Sequence, residues 1–139
     1  MKTYESSAVA FLKEGQILLH KRSADGKSRF GEEWGLLGGR LETMESPSDA
    51  IKRELLEELG FKANKIDFYK KYEIKNNQYH LIMHIFTADF PGFEIFKQTE
   101  EGDIRNSLRF FNYEKGMTLK TVEPGYKILT DLKESGLIE

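Results

Sequence analysis

The chain has 139 residues, 21 Lys and Arg against 23 Asp and Glu, a formal charge of −2 and no cysteine. That length suits one compact domain with a real core, the lack of a basic excess argues against long nucleic acid as a partner, and the lack of thiols excludes disulfides and thiolate metal sites. The N-terminal stretch MKTYESSAVAFLKEG carries Glu5 and no long apolar run, and no segment approaches the roughly 20 apolar residues of a membrane span, so residues 1–139 are expected to form a single soluble, unprocessed, cytoplasmic domain.

Two apolar, β-tending runs, SAVAFL (7–12) and QILLHK (16–21), flank Lys13, Glu14 and Gly15, which predicts a hairpin with a short glycine turn. The polar stretch 22–33 reads as a surface loop able to reach over a ligand. Ser46 and Pro47 are placed as N-cap and first residue of a helix, Asp49 stands at the capping-box position, and Gly60 ends the helix. Strands follow at 66–74 and 79–90, with Asn76 and Asn77 as turn residues. Residues 91–107 read as loop and LRFFN (108–112) as a short strand. From Pro124 to Ser135, helical spacing of Tyr126, Ile128, Leu129 and Leu132 predicts a closing amphipathic helix.

Residues 38–61, GGRLETMESPSDAIKRELLEELGF, carry the chemistry. At about 100° per residue, Ile51, Leu55, Leu56 and Leu59 share one broad face and Glu54, Glu57 and Glu58 another. Like charges three and four residues apart destabilise an isolated helix by roughly 0.2–0.5 kcal/mol per pair, so a cation should offset them. Lysine or arginine can do this. Three clustered carboxylates, with Glu42 and Glu45 in the adjoining loop, also match the hard oxygen ligands that Mg²⁺ or Mn²⁺ favours. A glutamate-rich helix is most often a solvated face, and here the spacing is what distinguishes the two readings.

Gly39, Glu45, Arg53, Glu54, Leu55, Glu57, Glu58, Gly60 and Phe61 occupy every fixed position of the Nudix box, so the segment resembles the defining motif of the Nudix hydrolases. Lys21 and Arg22 ending a hairpin, and Trp34 ahead of the paired glycines, extend the resemblance. Leu37 stands where many members have proline, and Thr43 and Met44 where proline and glycine are frequent. The resemblance implies an α/β fold, a mixed sheet sandwiched between helices, and hydrolysis of a phosphoanhydride in a nucleoside diphosphate linked to another group: a nucleoside triphosphate, a sugar nucleotide or a dinucleoside polyphosphate. It implies one or more divalent cations, Mg²⁺ or Mn²⁺, on Glu54, Glu57 and Glu58, with the Gly39 carbonyl as a further ligand. Arg53 is expected to orient Glu57 or Glu45. The general base is Glu54, or else Glu100 or Glu101 in the later loop. A homodimer is in keeping with the family, and the alternative to an enzyme is a catalytically silent nucleotide-sensing module with the same fold.

Arg22, Arg29 and Arg40 flank the box and are candidates for substrate phosphates, with plain surface charge as the other reading. His80 and His84 would stand about 13 Å apart on one strand and cannot share an ion. Trp34, Tyr79, Phe110 and Phe111 can stack on a base, although aromatics in strands more often belong to a core. Tyr79 resembles a tyrosine that accompanies diadenosine polyphosphate hydrolases in this family, and the lack of a proline in the comparable downstream region disfavours the ADP-ribose branch.

Overall fold

The computed structural model describes residues 2–22 and 32–139. Most of the loop expected at 22–33, Arg29 included, lies outside the described residues. The elements are β1 (Lys2–Lys13), β2 (Gln16–Lys21), β3 (Trp34–Gly35), β4 (Leu37–Arg40), α1 (Pro47–Leu59), β5 (Asp67–Lys75), β6 (Tyr79–Asp89), β7 (Leu108–Phe111), α2 (Tyr113–Gly116) and α3 (Gly125–Glu134). Short 3₁₀ turns at Phe93–Ile95 and Arg105–Ser107 interrupt the 91–107 loop.

β1 is longer than the 7–12 run predicted, because its polar start, residues 2–5, is stabilised by strand pairing rather than by its own burial. β6 runs parallel to it from Lys2↔Tyr79 to Leu12↔Asp89. On its other edge β1 changes partner. Leu12 and Lys13 pair with β2 through a turn in which Glu14 (φ 50°) and Gly15 (φ 79°) are both left-handed, the geometry of a tight hairpin. Ser6 to Val9 pair instead with β4, Ser6 opposite Arg40 and Val9 opposite Leu37. The remaining pairs are antiparallel, giving the order β3-β2-β1-β6-β5 with β4 on β1 and β7 on β2.

Alternation along β1 divides the core into two layers. Val9 and Phe11 pack with Leu37, Ile51, Leu55 and Leu59 under α1. Ala8 and Ala10 pack with Ile128, Leu129 and Leu132 under α3. The mixed sheet is therefore sandwiched between helices, as expected. α1 has the predicted ends: Asp49 N–H donates to Ser46 Oγ at 3.1 Å, Pro47 opens the helix, and Gly60 closes it at φ 61°. Ile51, Leu55 and Leu59 are fully buried, each contributing about 1.5–3 kcal/mol of burial. Leu56 is a correction to the predicted apolar face, being 54% exposed: it sits at the margin of the stripe, one residue past Leu55, where the sheet no longer reaches. α2 was not anticipated; it is a single turn held by the Asn112 side chain, which accepts from the Lys115 amide. Among the described residues no helix is long and apolar enough to cross a membrane.

α3 is tied to the sheet by a buried polar contact. Tyr72 Oη donates to Asp131 Oδ2 at 2.7 Å, and Lys70 Nζ lies 3.2 Å from the same oxygen. The tyrosine's hydrogen bond holds the Asp131 carboxyl below its usual pKa, while burial pushes the phenol up. Tyr72→Phe is expected to destabilise the fold by about 1.5–3 kcal/mol near neutral pH, the value of a hydrogen bond to a charged group. A depressed carboxylate contributes stability above its unfolded pKa of about 3.8 that is lost as pH falls through the folded value. The variant should therefore show a weaker acid-side loss in denaturant titrations repeated across pH.

Candidate functional site

The loop before α1 is built around Arg53. Residues 42–45 form a turn in which the Glu45 amide donates to the Glu42 carbonyl at 3.0 Å, while the Glu42 amide donates to Glu45 Oε1 at 2.9 Å. Arg53 Nε and Nη2 then donate to the two Glu45 oxygens at 2.7 and 3.0 Å, the paired geometry a planar guanidinium provides. Its Nη1 donates to Glu54 Oε1 at 3.0 Å and Glu57 Oε2 at 3.2 Å, and Nη2 also reaches the Arg40 carbonyl at 3.0 Å. The sequence left Glu45 and Glu57 open as partners of Arg53; Glu45 takes two bonds and Glu57 one. The guanidinium's hydrogen bond lowers the Glu45 pKa, and the same bond raises that of Arg53.

Met44, where the family often has glycine, adopts φ 67° and is 98% exposed. A left-handed residue in this turn gives glycine's frequency there a backbone reason.

Glu54 is pressed against the preceding strand. A Cβ added to Gly39 would stand 2.5 Å from the Glu54 carboxyl carbon, so only a glycine leaves that carboxylate its place. A Cβ on Gly38 would instead meet the β1 backbone, 2.7 Å from Ala8 Cα and closer still to the Ser7 carbonyl. The two glycines should therefore fail differently. Gly38→Ala is expected to lower stability by about 1–3 kcal/mol through overpacking of rigid backbone. Gly39→Ala should keep its melting temperature and, by displacing Glu54, lose up to about a hundredfold in turnover if Glu54 acts at the reacting atoms. Thermal unfolding and rate measurements on both variants separate the two effects.

The sheet face beneath α3 is covered only as far as Ala8. Beyond it, Tyr4 and Ser6 on β1 and Leu81 and Met83 on β6 floor an open cleft of about 430 Å³. Gly38, Gly39, Arg40 and Glu58 form one wall, His20 and Arg22 reach in from β2 and its end, and Val122 and Glu123 form the rim. Residues 120–122 hydrogen-bond alongside Trp34, and Tyr79 Oη donates to Glu123 Oε2 at 3.2 Å, so this segment arches over the sheet from β3 to β6.

Of the predicted residues, the fold brings Gly39, Arg40, Glu58 and Arg22 to the cleft, with Glu54 against Gly39 and Glu57 held by Arg53. Glu100 and Glu101 do not line it. They sit on a loop pinned to α1, where Thr99 Oγ1 donates to the Glu57 carbonyl at 2.6 Å and accepts from the Glu101 amide at 3.2 Å. Tyr79 faces the cleft, while Phe111 is buried, Trp34 packs edge-on against it at 4.9 Å and Phe110 packs on the other layer. His80 and His84 face separate carboxylates, Glu73 and Glu5. Tyr4, Ser6 and Glu123 escaped the sequence reading. A serine and a tyrosine on the apolar-facing parity of β1 were the available signal for the first two.

The donors here are all oxygens. One oxygen each of Glu54 and Glu57 accepts nothing from Arg53, and with Glu58 and the Gly39 carbonyl these are hard ligands of the type a divalent cation takes. As the side chains stand, no three carboxylates or imidazoles among the described residues already converge on one point, since Arg53 draws Glu54 and Glu57 toward itself.

Comparison with known proteins agrees with this arrangement. The NUDIX domain family model matches residues 2–132. The CTP pyrophosphohydrolase of Escherichia coli K12 is 32% identical over 93 residues, covering 66% of this chain and 67% of that protein. The solution structure of the E. coli ORF135 protein superposes with a TM-score of 0.73 at 26% identity, covering 97% of this chain and 94% of that one. A MutT protein from Methanosarcina mazei Go1 shares the fold with a TM-score of 0.72 at 20% identity over 97% and 95% of the two chains. With the box complete in sequence, its arginine and carboxylates gathered beside a cleft lined by Gly39, Arg40 and Glu58, and the family model matching residues 2–132, this protein belongs to the NUDIX domain family.

Proposed function

We propose that this Nudix pyrophosphohydrolase cleaves a nucleoside triphosphate to the monophosphate and pyrophosphate with the help of a divalent cation, Mg²⁺ or Mn²⁺. The observation that carries the reading is the Arg53-centred carboxylate cluster beside a cleft that also holds Arg22 and Arg40. Glu54, Glu57, Glu58 and the Gly39 carbonyl would hold the cation, which when bound neutralises the anhydride's charge and makes water acidic enough to attack near neutral pH. Arg22 and Arg40 bind phosphate oxygens. Glu54, fixed against the cleft-lining Gly39, is the favoured proton acceptor, ahead of Glu100 and Glu101 on the loop beyond α1.

The relative that acts on CTP suggests a cytosine nucleotide, and the Glu123 carboxylate at the rim supports it, because it can accept from the cytosine exocyclic amine, at the position where uracil presents a carbonyl oxygen. The test is a panel of CTP, UTP, purine triphosphates, sugar nucleotides and dinucleoside polyphosphates, with Mg²⁺ and with EDTA. CMP and pyrophosphate from CTP, suppressed by EDTA and weaker for UTP, is the expected result. Saturable nucleotide binding with no product would favour the sensing module instead.

A further inference from the structure

We infer that Tyr4 is a positioning residue for phosphate binding, acting as a shelf that holds the Arg40 guanidinium over the cleft. The inference rests on the pyrophosphohydrolase reading of the same site and adds to it a residue outside the box. The Arg40 guanidinium carbon lies 4.2 Å from the centre of the Tyr4 ring, the separation of a close cation–π contact. Both side chains line the cleft. Their meeting is set by register: Ser6 is opposite Arg40 across the β1–β4 pair, so Tyr4, two residues earlier on the same face, is its diagonal neighbour.

The main chain of Arg40 is fixed as well, since its carbonyl accepts from Arg53 Nη2 at 3.0 Å. Arg53 thus locks the backbone of this residue to the carboxylate cluster, and Tyr4 restrains the long side chain that would otherwise sample many rotamers in solvent. None of the ion pairs among the described residues engages Arg40. A ring face attracts the cation without neutralising it, which leaves the guanidinium's N–H fork available to an incoming phosphate.

The variants Tyr4→Phe, Tyr4→Leu, Arg40→Ala and the Tyr4→Leu/Arg40→Ala double substitution test this by steady-state hydrolysis of CTP with Mg²⁺ and by calorimetric binding of inorganic pyrophosphate with Mg²⁺. Tyr4→Leu is expected to raise KM and weaken pyrophosphate binding by about two- to fivefold, the range of an exposed cation–π contact, with kcat unchanged. Tyr4→Phe should match the parent protein, and Tyr4→Leu should add nothing once Arg40 is alanine. An equal effect of Tyr4→Leu with and without Arg40, or a fall in kcat at constant KM, overturns the proposal by assigning Tyr4 a structural role. If no nucleotide is hydrolysed, the functional reading fails separately, and the pyrophosphate cycle still decides the question for Tyr4.

Discussion

Glu58→Gln is expected to lower kcat at least about a hundredfold, the scale seen when one group that stabilises developing charge is removed from a reaction site. Glutamine has the size of glutamate and can keep a hydrogen bond, so what is lost is the negative charge on the cleft wall beside Gly38 and Gly39. The fold should not suffer. Glu58 flanks the stripe of buried Ile51, Leu55 and Leu59 without belonging to it, and a substitution that keeps size and shape at such a margin should cost little. Removing the charge relieves repulsion from Glu54 one turn earlier, worth roughly 0.2–0.5 kcal/mol, and weakens whatever contact the Glu58 carboxylate itself makes, so the melting temperature should stay close to that of the parent protein. Rates at saturating Mg²⁺ and CTP, paired with thermal unfolding, measure both quantities. Turnover comparable to the parent protein would remove Glu58 from the proposed cation site.

Arg53→Lys keeps the charge and removes the planar fork, and it is expected to lower kcat/KM by about 10- to 100-fold, as for residues that orient ligands rather than touch substrate. One ammonium cannot reproduce the simultaneous contacts to both Glu45 oxygens, Glu54, Glu57 and the Arg40 carbonyl. The pH response should change too. Glu45 has a folded pKa depressed chiefly by its Arg53 hydrogen bond, so the stability it contributes is present above its ordinary value of 4.5 and lost as pH falls through the lower folded value. With lysine in place the folded pKa should move back up toward its ordinary value, so that Glu45 contributes less stability at neutral pH and less is lost on acidification. Unfolding curves collected at successive pH values would show this as a lower neutral plateau and a shallower fall on the acid side. An unchanged acid limb would mean that Arg53 does not hold Glu45 in solution.

The parts of the fold that were legible in the sequence are those whose signals are local. α1 ended where Ser46, Pro47 and Gly60 placed its caps, and the Glu14–Gly15 turn joined the strands on either side. β3 and β4 were not legible, because Gly35, Gly38 and Gly39 dilute any strand pattern and those segments are extended only through pairing with β2 and β1. Leu56 shows the same limit on a helix: periodicity gives an apolar stripe, but how far the stripe is buried depends on where the sheet beneath it ends.

The sequence by itself determined which groups would share a helical face, since the angular step of an α-helix puts Glu54, Glu57 and Glu58 together whatever surrounds them. It also fixed the arginine and glycines that accompany them. Only the tertiary structure decided what that face confronts. The change of partner along β1 brings Arg40 beside Ser6 and Tyr4, and the reach of the 120–123 segment sets Glu123 against Tyr79. These contacts join residues far apart along the chain, and their existence depends on strand register and crossover, quantities that no local spacing encodes.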